Sequence, residues 1–296
     1  MISIITCSVD TSRLNRLRSN IEETIGVPYE LIPIDNSSNR YGICAAYNLG
    51  GSQAKYPYLC FMHEDILFET GNWGRLLIRH LQDPGLGLIG VAGGDARALV
   101  PSSWSVPIGS KQVHLFQHYK YKEGTPQHIL ETDAAGYADK KRVVALDGVW
   151  LATRKDVFLR YQFDADTFPG FHGYDIDYSL QVNTAYRVYV IFDILLHHYS
   201  EGKPDRTWIK SAIRLSSKWK SRLPVSVEQE TREVYHLHHW QSMRAFLERL
   251  SELDYNYFQR LYFLVYYSCN RYFSLRRLGS MGKFTLLGSS DKKISS

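Results

Sequence analysis

An α/β architecture, a sheet layered between helices, followed by a helical C-terminal region, is the fold class this sequence predicts, and three observations predict it. Short apolar runs alternate with helical patterns from Ile2 to about Ile191. Thr6, Asp35 and the triplet His63-Glu64-Asp65 each fall just past an apolar run, at the strand-end rim where open α/β sheets take their ligands. Past Gly202 the composition turns basic, and apolar residues from Val234 to Leu264 recur at near-helical spacing.

Taken in order, Ile2 to Thr6 reads as a buried first strand. A charged amphipathic helix follows from about Thr11 to Ile25, with Thr11 or Ser12 as its N-cap. Leu31 to Ile34 is a second strand. It ends in Asp35-Asn36-Ser37-Ser38-Asn39, a loop because these side chains bond their own backbone. Gly42 to Ala54 reads as a helix, Tyr58 to Met62 as a third strand, Trp73 to Gln82 as a helix and Leu88 to Ala92 as a strand. From Gly93 to Lys141 the periodicity fails among Pro101, Pro107, Gly109, Gly124 and Pro126, which predicts a long loop or hairpin excursion. Regular pattern resumes at Val143 to Ala152, then a helix from Asp175 to Tyr186 and a strand from Val188 to Ile191. After about Arg277 the Gly, Ser and Lys content predicts a frayed end.

The 296 residues suit one large domain with an appendage, or two unequal ones. With 44% hydrophobic and 22% charged residues the chain is neither disordered nor low-complexity. A net charge of +5 is too mild to mark a nucleic-acid binder. Cys7, Cys44, Cys60 and Cys269 form no CxxC pair, which fits a reducing compartment. Met1 to Asp10 has no basic segment or completed apolar core, so a secretory signal is not expected there, and Leu261 to Tyr267 is far short of a membrane span. A cytoplasmic protein is the resulting expectation. The basic, aromatic C-terminal region also suits peripheral contact with the inner face of the cell membrane.

His63-Glu64-Asp65 is the sharpest chemical feature, since a strand running into three metal-competent side chains is unusual in a core. Hard divalent cations take carboxylate oxygens and leave positions for substrate phosphates. A solvated strand end would show the same tripeptide. Asp35 also fits an Asx-turn, and Asp147-Gly148 also fits a hairpin turn. Asp175 and Asp177 suit the first turn of a helix whatever else they do. A zinc site built from His197, His198, His63 and Asp65 would need an open tetrahedral set, and no HExxH supports it.

As an ordered set these segments resemble the GT-A-fold glycosyltransferases of the family 2-like group. The set comprises Ile2-Ser3-Ile4-Ile5, Ile34-Asp35-Asn36-Ser37-Ser38, Ala45 to Gly50, Tyr58 to Asp65, Ala145 to Ala152 and Phe171 to Tyr178. The branch it resembles is a bacterial one with His-x-Asp in place of Asp-x-Asp. The resemblance implies a Rossmann-like three-layer αβα domain with a mixed central sheet over residues 1–222. A nucleotide-sugar-binding half would occupy about 1–92 and an acceptor half about 143–222; the region over 223–296 lies beyond the resemblance and reads as helical, with a frayed tail, from its own spacing. The resemblance implies transfer of a sugar from a nucleotide-diphosphate donor to the hydroxyl of a glycan or lipid-linked acceptor, with inversion, as in polysaccharide biosynthesis, assisted by Mn2+ or Mg2+. Asp175 would be the base, with Tyr174 in place of a usual acid. Thr6, Asp35, Glu64 and Asp147 would bind the donor, and Asp65, His63 and His198 would hold the metal. Tyr47 stands where relatives carry an Arg, and Lys203, Arg206 and Lys210 would meet the diphosphate. Two other classes stay open: a non-catalytic sugar-nucleotide binder of the same fold, and a membrane-surface scaffold working through its C-terminal region.

Overall fold

The structure, a computed structural model, describes residues 1–107, 109–119, 125–132, 138–200, 202 and 204–287. It opens with β1 (Ile2–Ser8), α1 (Thr11–Thr24), β2 (Tyr29–Asp35), α2 (Ile43–Gln53), β3 (Tyr58–Met62), β4 (Ile66–Phe68), α3 (Trp73–Leu81) and β5 (Leu86–Gly90). Short strands follow: β6 (Ala92–Gly94), β7 (Ala96–Arg97), β8 (Lys111–Gln117), β9 (Gln127–Glu131), β10 (Lys140–Val143), β11 (Ala145–Leu146) and β12 (Trp150–Arg154). Then come α4 (Lys155–Arg160), α5 (Tyr174–Val182), β13 (Arg187–Ile191), β14 (Leu196–His198), α6 (Arg206–Lys218), β15 (Val225–Ser226), α7 (Arg232–Glu252), α8 (Tyr257–Ser268) and α9 (Leu275–Leu287).

The chain divides into two compact units. The first is Met1–Asp95 with Ser110–Lys203, the second Ala96–Gly109 with Pro204–Ser296. In the first, a seven-stranded sheet runs β10-β13-β5-β12-β3-β1-β2. It is mixed: β1 pairs in parallel with β2 and β3, while β12 lies antiparallel between β3 and β5. Every residue of β1 is buried, as a central strand covered on both faces requires. A second sheet runs β11-β6-β8-β14-β4, with β9 on the free side of β8. Its register sets His198 beside Gln117 on one side and beside Ile66 on the other, one residue past Asp65.

Several expectations from the sequence need correction. The cap of α1 is Asp10, not Thr11 or Ser12; its side chain accepts from the amides of Ser12 and Arg13. β1 continues two residues beyond Thr6 to Ser8, so Thr6 sits inside the strand rather than past its end. The segment after Gly93 holds strands β6 to β10 with loops between them. Asp147-Gly148 is not a hairpin turn: β11 pairs with β6 in the second sheet and β12 pairs with β3 and β5 in the first, so the turn carries the chain between sheets. The helix expected from Asp175 to Tyr186 is α5, which starts at Tyr174 and stops at Val182. Past Arg277 the chain stays helical to Leu287.

In the second unit, α6 to α9 bury one cluster comprising Val100, Ile209, Trp240, Met243, Phe246, Leu247, Leu250, Leu264 and Tyr267. α6, which falls inside the residues 1–222 of the resemblance but past the change in composition at Gly202, packs in this unit through Ile209. Its N-cap Asp205 and the capping box of Asn256 and Gln259 at α8 satisfy helix-end amides locally. Among the described residues no helix is long and apolar enough to cross a membrane.

Candidate active site

Four separate stretches of the first unit meet at the rim of its sheets: the exit of β3, the 147–149 turn, the start of α5 and the end of β14. His63 donates its backbone N–H to Val149 O at 3.2 Å, which ties the β3 exit to the turn. Tyr199 N donates to Asp65 O at 2.9 Å, which ties the same exit to the end of β14. α5 begins after Gly173, whose φ of 84° is the left-handed region that favours glycine. This places Tyr174 and Asp175 in the first helical turn.

His63, Asp65 and His198 each offer a ligand atom, and all three atoms lie within 4.8 Å of one another. Hydrogen bonds around them fix both imidazole tautomers. Tyr174 gives its only hydroxyl proton to Gly148 O at 3.0 Å, so its oxygen accepts from His63 Nε2 at 2.9 Å. That leaves a lone pair on His63 Nδ1. Gln117 turns its amide nitrogen toward carbonyls of His118, His198 and Ser200, so its Oε1 faces His198 Nδ1 at 3.1 Å and must accept from it. That leaves a lone pair on His198 Nε2. Both lone pairs lie 3.9 Å from Asp65 Oδ1. Asp65 Oδ1 and His198 Nε2 are buried and have no hydrogen-bond partner among the described residues. Burial, and next the nearby His63, hold the His198 pKa below its usual value, keeping the ring neutral. Three acceptors, two of them buried, converge with no proton between them, an arrangement that a divalent cation satisfies. Two imidazoles and one carboxylate suit Mn2+ better than Mg2+, which prefers oxygen ligands.

Asp175 lies beside this cluster. Its Oδ2 accepts from Gly148 N at 3.0 Å. Its pKa is pushed up to about 7, by burial first and by the Asp147 charge second. Asp147 spends Oδ1 on the amide of Val149 at 2.9 Å, an Asx-turn that shapes the crossing between sheets. Tyr174 is packed under this floor. Its ring meets Tyr47 edge-on at 5.8 Å, and Tyr47 is fully buried against Phe61 and Phe163. A Cβ at position 148 would collide with the Tyr174 hydroxyl, so Gly148 is what lets Tyr174 reach His63.

The remaining sequence-derived candidates lie apart from the cluster in different ways. Glu64 is buried, and its Oε2 accepts from Ser8 Oγ at 2.7 Å and from the amides of Val9 and Asp10, which pins the β1–α1 connection. Asp35 is exposed at the end of β2, opposite Ser8 in register, and its Oδ1 accepts from Ser37 N, which lowers its pKa. Thr6 is 0% exposed, so its hydroxyl lies in the core. His197 faces away: Nε2 meets Glu69 and Nδ1 meets His118, which leaves the zinc reading without this ligand. Asp177, two positions on from Asp175, is buried and accepts from Gln181. Lys203 lies outside the described residues, and Arg206 and Lys210 belong to the second unit.

Sequence reasoning missed three groups. Gln117 sits in the stretch where periodicity failed, and no motif marks it. Arg13 and Arg16, on α1, line a cleft of about 230 Å³ together with Glu64, Asp65, Ile66, Leu67 and Tyr199. Arg16 lies over the Tyr199 ring at 4.5 Å and donates to its hydroxyl. Charged positions on an amphipathic helix give no hint of such a role.

The mixed sheet with helices on its faces and this rim cluster define a GT-A-type α/β protein. Over residues 3–223 the sequence matches the glycosyltransferase-like family, and the chain belongs to it. Similar solved structures include GalNAc-T7 with UDP, GalNAc and Mn2+, at 11% identity and a TM-score of 0.50, covering 98% of this chain and 56% of that one. The mannosyltransferase PcManGT from Pyrobaculum calidifontis in complex with GDP-Man and Mn2+ has 12% identity and a TM-score of 0.45, covering 97% and 76%. A197 from STIV has 13% identity and a TM-score of 0.37, covering 68% and 86%. No curated protein matches the sequence at a significant level.

Proposed function

We propose that this protein moves a hexose from a nucleotide-diphosphate donor to an acceptor hydroxyl on a glycan or lipid-linked glycan, inverting the anomeric centre. The observation that carries the proposal is the convergence of His63 Nδ1, Asp65 Oδ1 and His198 Nε2, three acceptors without a proton among them, beside a carboxyl with a pKa near 7. A divalent cation held by these three would neutralise charge developing on the departing diphosphate. Arg13 and Arg16, in the cleft that Asp65 also lines, offer guanidinium donors to phosphate oxygens. Asp35, at the exposed end of β2, meets the nucleoside. Glu64 holds the β1–α1 connection against it, and Thr6 supports the same strand from the core.

At the other end of the cluster, Asp147 bonds sugar hydroxyls and Asp175 takes the proton of the attacking hydroxyl. An oxocarbenium-like sugar is attacked on the face opposite the leaving group, so base and cation must flank it. A carboxylate whose pKa is raised toward neutrality is a stronger base than an ordinary one, and general-base help is worth about 10² to 10⁴ in rate.

Release of nucleoside diphosphate from a panel of donors, with Mn2+ and candidate acceptors, tests the reading. Wild type should release it with an acceptor present, while Asp175→Asn loses release and keeps Mn2+-dependent nucleotide binding. Wild-type turnover by Asp175→Asn would remove the base. Metal-dependent binding with no release for any acceptor would favour the non-catalytic binder.

A further inference from the structure

The second unit carries a surface that the transfer chemistry does not use and whose role is independent of it. α8 is apolar on two opposite sides. Leu264 and Tyr267 pack inward with Trp240, Met243 and Phe246. Facing away from them, Phe258, Tyr262, Val265 and Tyr266 are 77%, 62%, 46% and 46% exposed. At helical spacing these four positions fall within an arc of about 100°. Phe273 and Leu275, just beyond the helix, are also exposed. Scattered surface apolar residues need no explanation, but a helix stripe of this kind marks an interaction surface.

Charge identifies what covers it. From Tyr255 to Ser290 the sequence holds Arg260, Arg271, Arg276, Arg277 and Lys283 and no Asp or Glu. Lys220, two residues past the end of α6, sits over the Tyr266 ring at 5.6 Å, so a cation borders the stripe itself. Below it, Ser216, Ser217, Lys220, Tyr266, Tyr267 and Asn270 line a small pocket. The ammonium of Lys220 is exposed beside these rings and suits a phosphate group. A second copy meeting this face by two-fold symmetry would set cations against cations.

We infer that α8 and the start of α9 dock on an anionic phospholipid bilayer. The exposed rings lie at the headgroup boundary and Lys220, Arg276 and Arg277 lie on lipid phosphates. α8 is far too short to span, so it lies in the plane of the surface.

Vesicle sedimentation of the full chain tests this, using phosphatidylcholine alone or with about one third phosphatidylglycerol. Binding is expected only to the anionic vesicles, weakening at least about tenfold at high salt. Phe258→Ser with Tyr262→Ser, and separately Arg276→Glu with Arg277→Glu, should each lower it about tenfold with unchanged circular dichroism. Equal binding to neutral vesicles, no binding, or wild-type binding by both double variants would overturn the inference. So would a dimer in gel filtration that the Phe258→Ser and Tyr262→Ser variant dissolves without any vesicle binding, because a second copy would then cover the face.

Discussion

Two places in the molecule hold groups left without their natural neighbours, and they differ in kind. At the rim of the first unit the unmatched groups are polar and buried: Asp65 Oδ1 and His198 Nε2 face one another with no donor between them. On α8 of the second unit they are apolar and exposed. A buried unmatched acceptor costs free energy until a cation arrives, so it specifies a small charged ligand at one point. An exposed apolar stripe costs little per residue and specifies a surface without a register. The first is therefore sensitive to single atoms and the second to summed area and charge.

That difference orders the ways to break it. The largest effect belongs to Asp175→Asn, where transfer should fall by about 10² to 10⁴ with nucleotide binding kept. Gln117→Leu comes next. Without the Gln117 Oε1 acceptor nothing fixes the proton on His198 Nδ1, and Mn2+ affinity, read by titration calorimetry, should weaken about 10- to 100-fold. Gly148→Ala should drive the Tyr174 hydroxyl away from His63, costing about 1 to 3 kcal/mol in thermal unfolding and weakening Mn2+ binding along with it. Smaller still is the shift in pH profile. Asp175 must lose its proton to act, so transfer should rise with pH through about 7. Asp147→Asn removes the second cause of the raised pKa and should move that rise to lower pH.

Stability should answer with the opposite sign. Because the folded pKa of Asp175 lies above the unfolded value, this group favours the folded state at low pH and loses that contribution between about 4 and about 7. Asp175→Asn should therefore raise the melting temperature above pH 7 relative to wild type, as scanning calorimetry would show.

The sequence made the strand-helix order of the first unit legible, because apolar runs such as Tyr58–Met62 and their polar exits are local patterns. His63, Asp65, His198, Asp147 and Asp175 could be named as a set from motif order, and the structure brings them to one rim. What stayed hidden depends on contacts between distant residues. β4 has three residues, too few for a periodicity. β8 alternates, yet Pro and Gly on both sides mask it. The crossing at Asp147-Gly148 reads as a hairpin because a turn motif says nothing about which sheet receives the next strand. The roles of Gln117 and Tyr174 are tautomer-setting, and only the hydrogen bonds of a folded chain express them. In the second unit the basic, aromatic composition was readable, while the side of α8 left uncovered was not.

Electron paramagnetic resonance of Mn2+ added to the protein tests the central claim most directly, since free and bound ion give different spectra. The free-ion signal should fall on titration with wild type, fall further when a nucleoside diphosphate is present, and persist with Asp65→Asn or His198→Ala. An unchanged free-ion signal with wild type, or equal loss with Asp65→Asn, would contradict it.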